Sequence, residues 1–193
     1  LPSIYFSEYF NESTWQKIIS GGWGGMVDCF VAMYDVLFDA TSSVPVGGKS
    51  KKLLYNIGVK EGMTTVGKER NEILSVDKSI FKKELNQLLS SYSEIDPLVF
   101  FKLVHVAHDK AIKNPYNKNL IFYHIHNPDT YAMLNFSRFA PQANWIMMVR
   151  EPVQNCESWV GKSFFKNDYF TVVSRISTML FETDNAIYSR HRS

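Results

Sequence analysis

Arg150 and Ser158 have the residue types and the spacing expected of an anion site. Arg150 ends the apolar run 145–149 and is followed by Glu151 and Pro152, and Ser158 lies eight residues after it. A guanidinium group is permanently charged and matches two phosphate oxygens. Proline favours the first position of a helix, where free backbone amides also attract an anion. The pattern predicts a phosphate site in which Ser158, about two turns into the helix, adds a hydroxyl donor.

A second candidate is His126, which ends the apolar run Leu120–His126 just before Asn127 and Pro128. An imidazole with an ordinary pKa of about 6.5 is largely neutral yet basic near neutral pH. It is therefore suited to take a proton from a reacting hydroxyl group. This residue is the candidate general base.

The elements that would position these residues are two short β-prone runs, 120–126 and 145–149, with a predicted helix from about 129 to 139 between them. Strands joined by a helical crossover are expected to be parallel neighbours, and ligands bind beyond their carboxyl ends. His126 and Arg150 would then meet at one sheet edge. The sequence predicts an α/β fold.

The first half of the chain is predicted to be mostly helical. A helix is expected over Met26–Phe38, between loops at 21–25 and 42–52. Apolar residues from Ile80 to Tyr92 recur at helical spacing after Asp77. Asp96 and Pro97 supply an N-cap and a first-turn proline for another helix that ends near Asn114.

The stretch Trp145–Trp159, WIMMVREPVQNCESW, resembles the 3′-phosphate motif of the sulfotransferases. The segments His124–Pro128 and Phe139–Asn144 are similar to that family's K-T-H-L-P and F-P-x-A-K segments. The resemblance implies a helix-rich, three-layer P-loop NTPase-like fold with a parallel central sheet. It implies transfer of a sulfonate group from the co-substrate PAPS to an acceptor hydroxyl or amine, with release of PAP. Arg150 and Ser158 would bind the 3′-phosphate, and His126 would be the catalytic base.

The chain lacks the family's N-terminal phosphosulfate loop and its C-terminal basic loop, and His124 replaces a lysine. Both ends look cut. We therefore expect residues 1–193 to be a single but partial sulfotransferase-like domain, which binds nucleotide weakly or not at all by itself.

Three other interpretations remain open. Gly47–Ser50 suggests a nucleotide kinase-like phosphotransferase, although Ser43 stands where a Walker A loop has its first glycine. The fold could also serve a non-catalytic nucleotide-binding or scaffold module. His105 and His108, one helical turn apart, suggest zinc, but no cysteine or carboxylate completes a set, and no metal is predicted.

Structural explanations compete for the candidate residues too. Arg150 could pair with a nearby acid, Ser158 could bond back to a helix carbonyl, and His126 could be a core or capping residue.

Composition limits the partners. A net charge of +2 gives no general attraction for nucleic acid. The only two cysteines, Cys29 and Cys156, are expected to be free thiols of a cytoplasmic protein. No uncharged apolar run reaches the roughly 18 residues that a transmembrane helix needs. The acceptor, whether small molecule, carbohydrate, lipid or peptide, is expected to bind in the aromatic-rich region Ser7–Arg70, and the oligomeric state cannot be read.

Overall fold

The computed structural model describes residues 10–39, 65–114, 120–121, 135, 137–138, 140–146, 151–161 and 168–190. The chain divides into two compact units, Leu1–His126 and Asn127–Ser193. The single domain inferred from chain length and family resemblance stays a prediction.

The predicted parallel central sheet, and with it the three-layer P-loop NTPase-like α/β fold, is wrong for this structure. The described residues contain helices and two isolated antiparallel bridges, Asp39 with Ser75 and Val66 with Glu72, but no strand. A buried parallel strand needs buried side chains, yet Leu120 is 67% exposed and Ile146 is 77% exposed. Short apolar runs do not by themselves distinguish a strand from other structure. The remaining residues of both runs lie outside the described residues.

The described part of the first unit begins with two consecutive helices, α1 (Glu12–Ile19) and α2 (Gly22–Met33), followed by a short 3₁₀ helix, Asp35–Leu37. Asn11 caps α1, because its side chain accepts from the Thr14 amide at 3.1 Å while the Thr14 hydroxyl accepts from the Asn11 amide at 2.8 Å. The loop predicted at 21–25 is instead the start of α2. The helix predicted over Met26–Phe38 overlaps α2 but begins too late.

Glycine is required where α1 turns into α2. Gly22 has a φ of +65°, in the left-handed region that favours glycine. A Cβ on Gly21 would approach Cys29 Sγ to 2.8 Å and the Gly25 carbonyl carbon to 2.9 Å. The absence of a side chain at Gly21 therefore allows Cys29 and the Gly25 backbone to lie close to it at the start of the helix. The glycine content of this segment had predicted a loop instead.

Two capped helices, α3 (Lys78–Leu89) and α4 (Pro97–Ala111), confirm the predicted pair and pack against each other. The Asp77 carboxylate accepts from the Ser79 and Ile80 amides at 2.7 and 3.1 Å. Asp96 accepts from the Val99 amide at 2.7 Å, with Pro97 at the first helical position. These local hydrogen bonds satisfy backbone amides of the first helical turn that have no partner within the helix. They explain why the first residues of α3 and α4 could be predicted from the sequence.

Aromatic side chains form the centre of the first unit. Phe30 of α2 is fully buried, and its ring lies 4.9 Å from Tyr34, 6.0 Å from Phe81 and 5.6 Å from Phe100, measured between centroids. Phe10 contacts both Phe100 and Phe101. The cluster thus joins α2, α3 and α4 in one core.

The described part of the second unit contains α5 (Pro152–Gly161) and α6 (Tyr169–Arg190), which pack together. Val172 and Ile176 of α6 are buried. Asn135, Ser137 and Arg138 are helical, inside the helix predicted from 129 to 139, whose other residues are mostly outside the described set. The helix that follows Arg150 and Glu151 in the sequence, α5, is therefore one member of a packed helical pair.

Candidate functional site

The best-described part of the predicted phosphate site is the N-terminus of α5. The helix begins at Pro152, as the sequence predicted. Glu151 caps it: the carboxylate Oε2 accepts from the Gln154 amide at 2.8 Å, and the Glu151 carbonyl accepts from the Asn155 amide at 3.0 Å. The Glu151 carboxylate therefore already accepts a hydrogen bond from one of the backbone amides that were expected to bind an anion.

This cap changes the electrostatics expected at the site. The negative carboxylate of Glu151 offsets the partial positive charge at the start of α5. A bound phosphate would consequently depend on side-chain donors more than on helix amides. An arginine next to the cap would supply the positive charge that the helix start no longer offers.

Ser158 is the seventh residue of α5 and is half-buried. Six residues at a rise of about 1.5 Å place it about 9 Å along the axis from Pro152. Seven residues from Glu151 amount to about two turns at roughly 3.6 residues each, so Ser158 and Glu151 share one side of the helix. Among the described residues, its hydroxyl makes no hydrogen bond to another group, so the predicted alternative of a bond back to a helix carbonyl is not seen.

The other two predicted site residues, Arg150 and His126, lie outside the described residues, as does the Gly47–Ser50 segment. The expected meeting of His126, Arg150 and Ser158 therefore stays a prediction. Their expected meeting point was the carboxyl edge of a parallel sheet, and that expectation loses its basis because the described runs form no strand.

A polar feature that sequence reasoning left as structural is the histidine pair on α4. His105 is 8% exposed and His108 is 2% exposed. His105 Nδ1 lies 2.8 Å from the Phe101 carbonyl oxygen, and the His105 and Phe101 rings are 4.6 Å apart. Among the described residues, neither ring nitrogen of His108 has a hydrogen-bond partner. The signal was present in the sequence, since Phe101, Val104, His105 and His108 share the spacing of one buried helix face.

Burial disfavours the charged form of both rings. It lowers the pKa of His105 to about 4, although the bond to Phe101 acts in the opposite direction. It lowers the pKa of His108 to about 3, and the neighbouring His105 lowers it further. Both side chains are therefore neutral at physiological pH.

Metal binding has no support in the part of the chain that the structure describes. Within it, no group of three or more histidine, cysteine, aspartate or glutamate side chains is arranged to hold a metal ion. Both cysteines are free thiols. Within the described residues, no carboxylate or thiolate joins the buried histidine pair to form a metal site.

None of the helices in the described segments combines the length and the apolar character required to cross a bilayer.

Comparisons of the chain with protein-family models, with curated proteins and with solved structures found no match. The resemblance to the sulfotransferases therefore depends on the motif residues alone.

Proposed function

We propose that this chain belongs to a PAPS-dependent sulfotransferase and contributes the site for the 3′-phosphate of the donor. The observation that supports the proposal is the start of α5 at Pro152, with Ser158 on the same helix and the sequence spacing from Arg150 to Ser158 matching that of the family. Pro152 begins the helix two residues after Arg150, and Ser158 lies about two turns further along with an uncommitted hydroxyl.

The proposed roles follow from the chemistry of each side chain. The guanidinium of Arg150 neutralises the 3′-phosphate through charge-assisted hydrogen bonds. Ser158 donates its hydroxyl to the same group, and the Glu151 carboxylate holds the helix start in place. His126 removes the proton of the acceptor hydroxyl or amine while the sulfonate group leaves PAPS, so that PAP is the product.

The acceptor and the location are proposed from the sequence alone. The acceptor class is a small molecule, carbohydrate or lipid that carries a hydroxyl or amine. A cytoplasmic location fits a chain whose two cysteines are unpaired.

The donor site is tested by calorimetric titration of PAP and 5′-AMP into the full-length natural protein that contains this chain. PAP is expected to bind more tightly, because 5′-AMP lacks the 3′-phosphate. Arg150→Ala is expected to remove most of that preference, since one charge-assisted contact is worth about 1.5–3 kcal/mol, or roughly 10- to 150-fold in affinity. Ser158→Ala is expected to reduce it by about 2- to 10-fold.

Arg175→Ala is the matched control, because this arginine is exposed on α6. It should leave the preference for PAP unchanged. Equal binding of PAP and 5′-AMP by the unchanged protein, or an Arg150→Ala variant that keeps the preference, would exclude the donor site.

A second candidate is a non-catalytic nucleotide-binding module. The observation that favours it is the helical character of the described residues, since the sheet edge that was to align His126 with Arg150 is not found there. Such a module binds PAP through Arg150 and Ser158 but transfers no sulfonate. An acceptor screen with PAPS, using His126→Ala as the control, separates the two candidates.

A further inference from the structure

One side of α6 carries large apolar side chains that play no part in the proposed transfer reaction. Phe170 is 83% exposed, Phe181 is 67% exposed and Val173 is 48% exposed. Singly exposed apolar residues are ordinary on a protein surface, but a contiguous apolar patch marks an interaction site. The positions of these residues on the helix therefore decide whether they form one surface.

The exposed apolar residues lie in one line along the helix. Residues three or four positions apart are neighbours on a helix surface. Phe170, Val173, Ser177 and Phe181 follow one another at intervals of three, four and four residues, and all four are exposed. This set of four residues, called the outer stripe below, is about 16 Å long at a rise of about 1.5 Å per residue.

The outer stripe is separate from the side of α6 that is buried within its own unit. The buried residues are Val172 and Ile176. Successive residues are rotated by about 100° around a helix, so each of these two points well away from its neighbour in the stripe. The helix α6 therefore has two apolar sides, one buried and one exposed.

The chemistry of the outer stripe favours an apolar protein surface as its partner. Between Phe170 and Phe181 the sequence contains one charged residue, Arg175, which lies about 200° around the helix from Val173 and Ser177. A helix that lies on a membrane surface carries lysine and arginine along its polar side, and a single arginine does not supply that pattern. A strongly charged partner such as nucleic acid would find no matching charges along the stripe.

The spacing of the outer stripe is complementary to a second copy of itself. In an antiparallel pair with a two-fold axis beside the middle of the stripe, Phe170 of each chain faces Phe181 of the other. The small side chains of Ser174 and Ser177 then lie near the axis, where they allow the helix axes to approach to about 8 Å. Aromatic pairs add to the attraction that burial alone provides.

The area of the outer stripe fits a weak dimer. An aromatic side chain has about 150–250 Å² of surface, so the exposed parts of Phe170 and Phe181 amount to about 300 Å² per chain. Val173, the serines and the neighbouring Tyr169, which is 61% exposed, raise this to about 500 Å² per chain. Two copies would bury about 1,000 Å², which is the lower limit for a specific interface.

We propose that the outer stripe of α6 is a homodimer interface, in which two copies of this chain pair in antiparallel orientation through Phe170 and Phe181. Because the buried area is at the lower limit, the dissociation constant is expected to be on the order of 10–100 µM.

The test is sedimentation velocity of the whole chain at concentrations from about 1 to 300 µM. The unchanged chain should shift from monomer to dimer over this range. Phe170→Glu and Phe181→Glu each place a charge in the interface and should raise the dissociation constant by at least about 30-fold. Ser177→Glu does the same without removing a ring, and it provides the measurement if either phenylalanine variant does not fold. Arg175→Glu, the matched control on another side of α6, should change the constant by less than about threefold.

Cysteine variants and a short thiol-specific cross-linker test the orientation. In the antiparallel pair, the two copies of Ser177 are displaced along the axis by about 4.5 Å and the two copies of Phe170 by about 16 Å. Ser177→Cys should therefore give a cross-linked dimer in much higher yield than Phe170→Cys. The unchanged chain measures the background from Cys29 and Cys156. Equal yields from the two variants would overturn the antiparallel arrangement.

A chain that remains a monomer throughout the concentration range would overturn the proposal, as would a Phe170→Glu variant that dimerises like the unchanged chain. A monomer in which Phe170→Glu lowers the midpoint of urea unfolding would show that another segment of the same chain covers the stripe. A monomer that binds vesicles of phosphatidylcholine and phosphatidylserine would show a membrane contact instead. Because the test contains no nucleotide, its failure would leave the sulfotransferase proposal unaffected, and failure of PAP binding would leave the dimer interface in place.

Discussion

Replacement of Phe30 by alanine is the strongest test of the helical core. Phe30 is fully buried, and its ring centroid lies between 4.9 and 6.4 Å from those of Tyr34, Phe38, Phe81 and Phe100. No other described ring joins the 3₁₀ helix region, α3 and α4 through so many direct contacts.

The expected loss combines the transfer energy of the phenyl ring with the cavity that it leaves. For buried phenylalanine this sum is about 3–5 kcal/mol. A domain of ordinary stability has about 5–15 kcal/mol in total, so the variant should lose a large share of its stability. The neighbours that line the cavity belong to three separate elements, which limits how far any one of them can collapse into it.

The assay is urea unfolding followed by far-ultraviolet circular dichroism, with hydrogen exchange to show which unit opens. Phe170→Ala is the matched control, since Phe170 is 83% exposed on α6 and the same atoms are removed. It should change the free energy of unfolding by less than about 0.5 kcal/mol. A Phe30→Ala variant within about 1 kcal/mol of the unchanged chain would refute the aromatic core.

Two further predictions concern helix starts. Asp96→Ala should destabilise the first unit by about 1 kcal/mol, because the Val99 amide loses its acceptor, whereas Asp96→Asn should retain most of the stability. Urea unfolding measures the stability of both variants, and equal losses would contradict the capping role of Asp96. Glu151→Gln keeps an oxygen for the Gln154 amide but removes a negative charge beside the proposed 3′-phosphate site. PAP binding measured by calorimetry should therefore tighten by about 2- to 5-fold, and weaker binding would show that the carboxylate itself supports the site.

The accuracy of the sequence predictions depended on how local each determinant was. Asp77 and Asp96 cap α3 and α4 through bonds to amides two or three residues away, so their positions could be inferred from the sequence. The start of α5 at Pro152 was predictable for the same reason, since proline suits a first helical turn.

The predicted sheet failed because it depended on distant partners. The runs 120–126 and 145–149 have the composition of buried strands, but a strand needs a neighbouring strand for its hydrogen bonds. Leu120 and Ile146 are exposed in the structure, so the apolar composition of these runs did not predict whether their side chains are buried. The site built on that sheet is consequently described only at α5, through Glu151 and Ser158, while Arg150 and His126 stay predictions.

The sequence by itself determined the capped helices, the buried faces of α3 and α4 and the Arg150–Ser158 spacing, because each depends on contacts within a few residues along the chain. Only the tertiary structure decided that Gly21–Gly25 leads into a helix and that Phe30 lies at the centre of the aromatic core. It also decided that His108 is buried with no hydrogen-bond partner among the described residues. These features depend on which side chains the packed helices bring together, and a hydrogen bond or a desolvation cost exists only once those neighbours are in place.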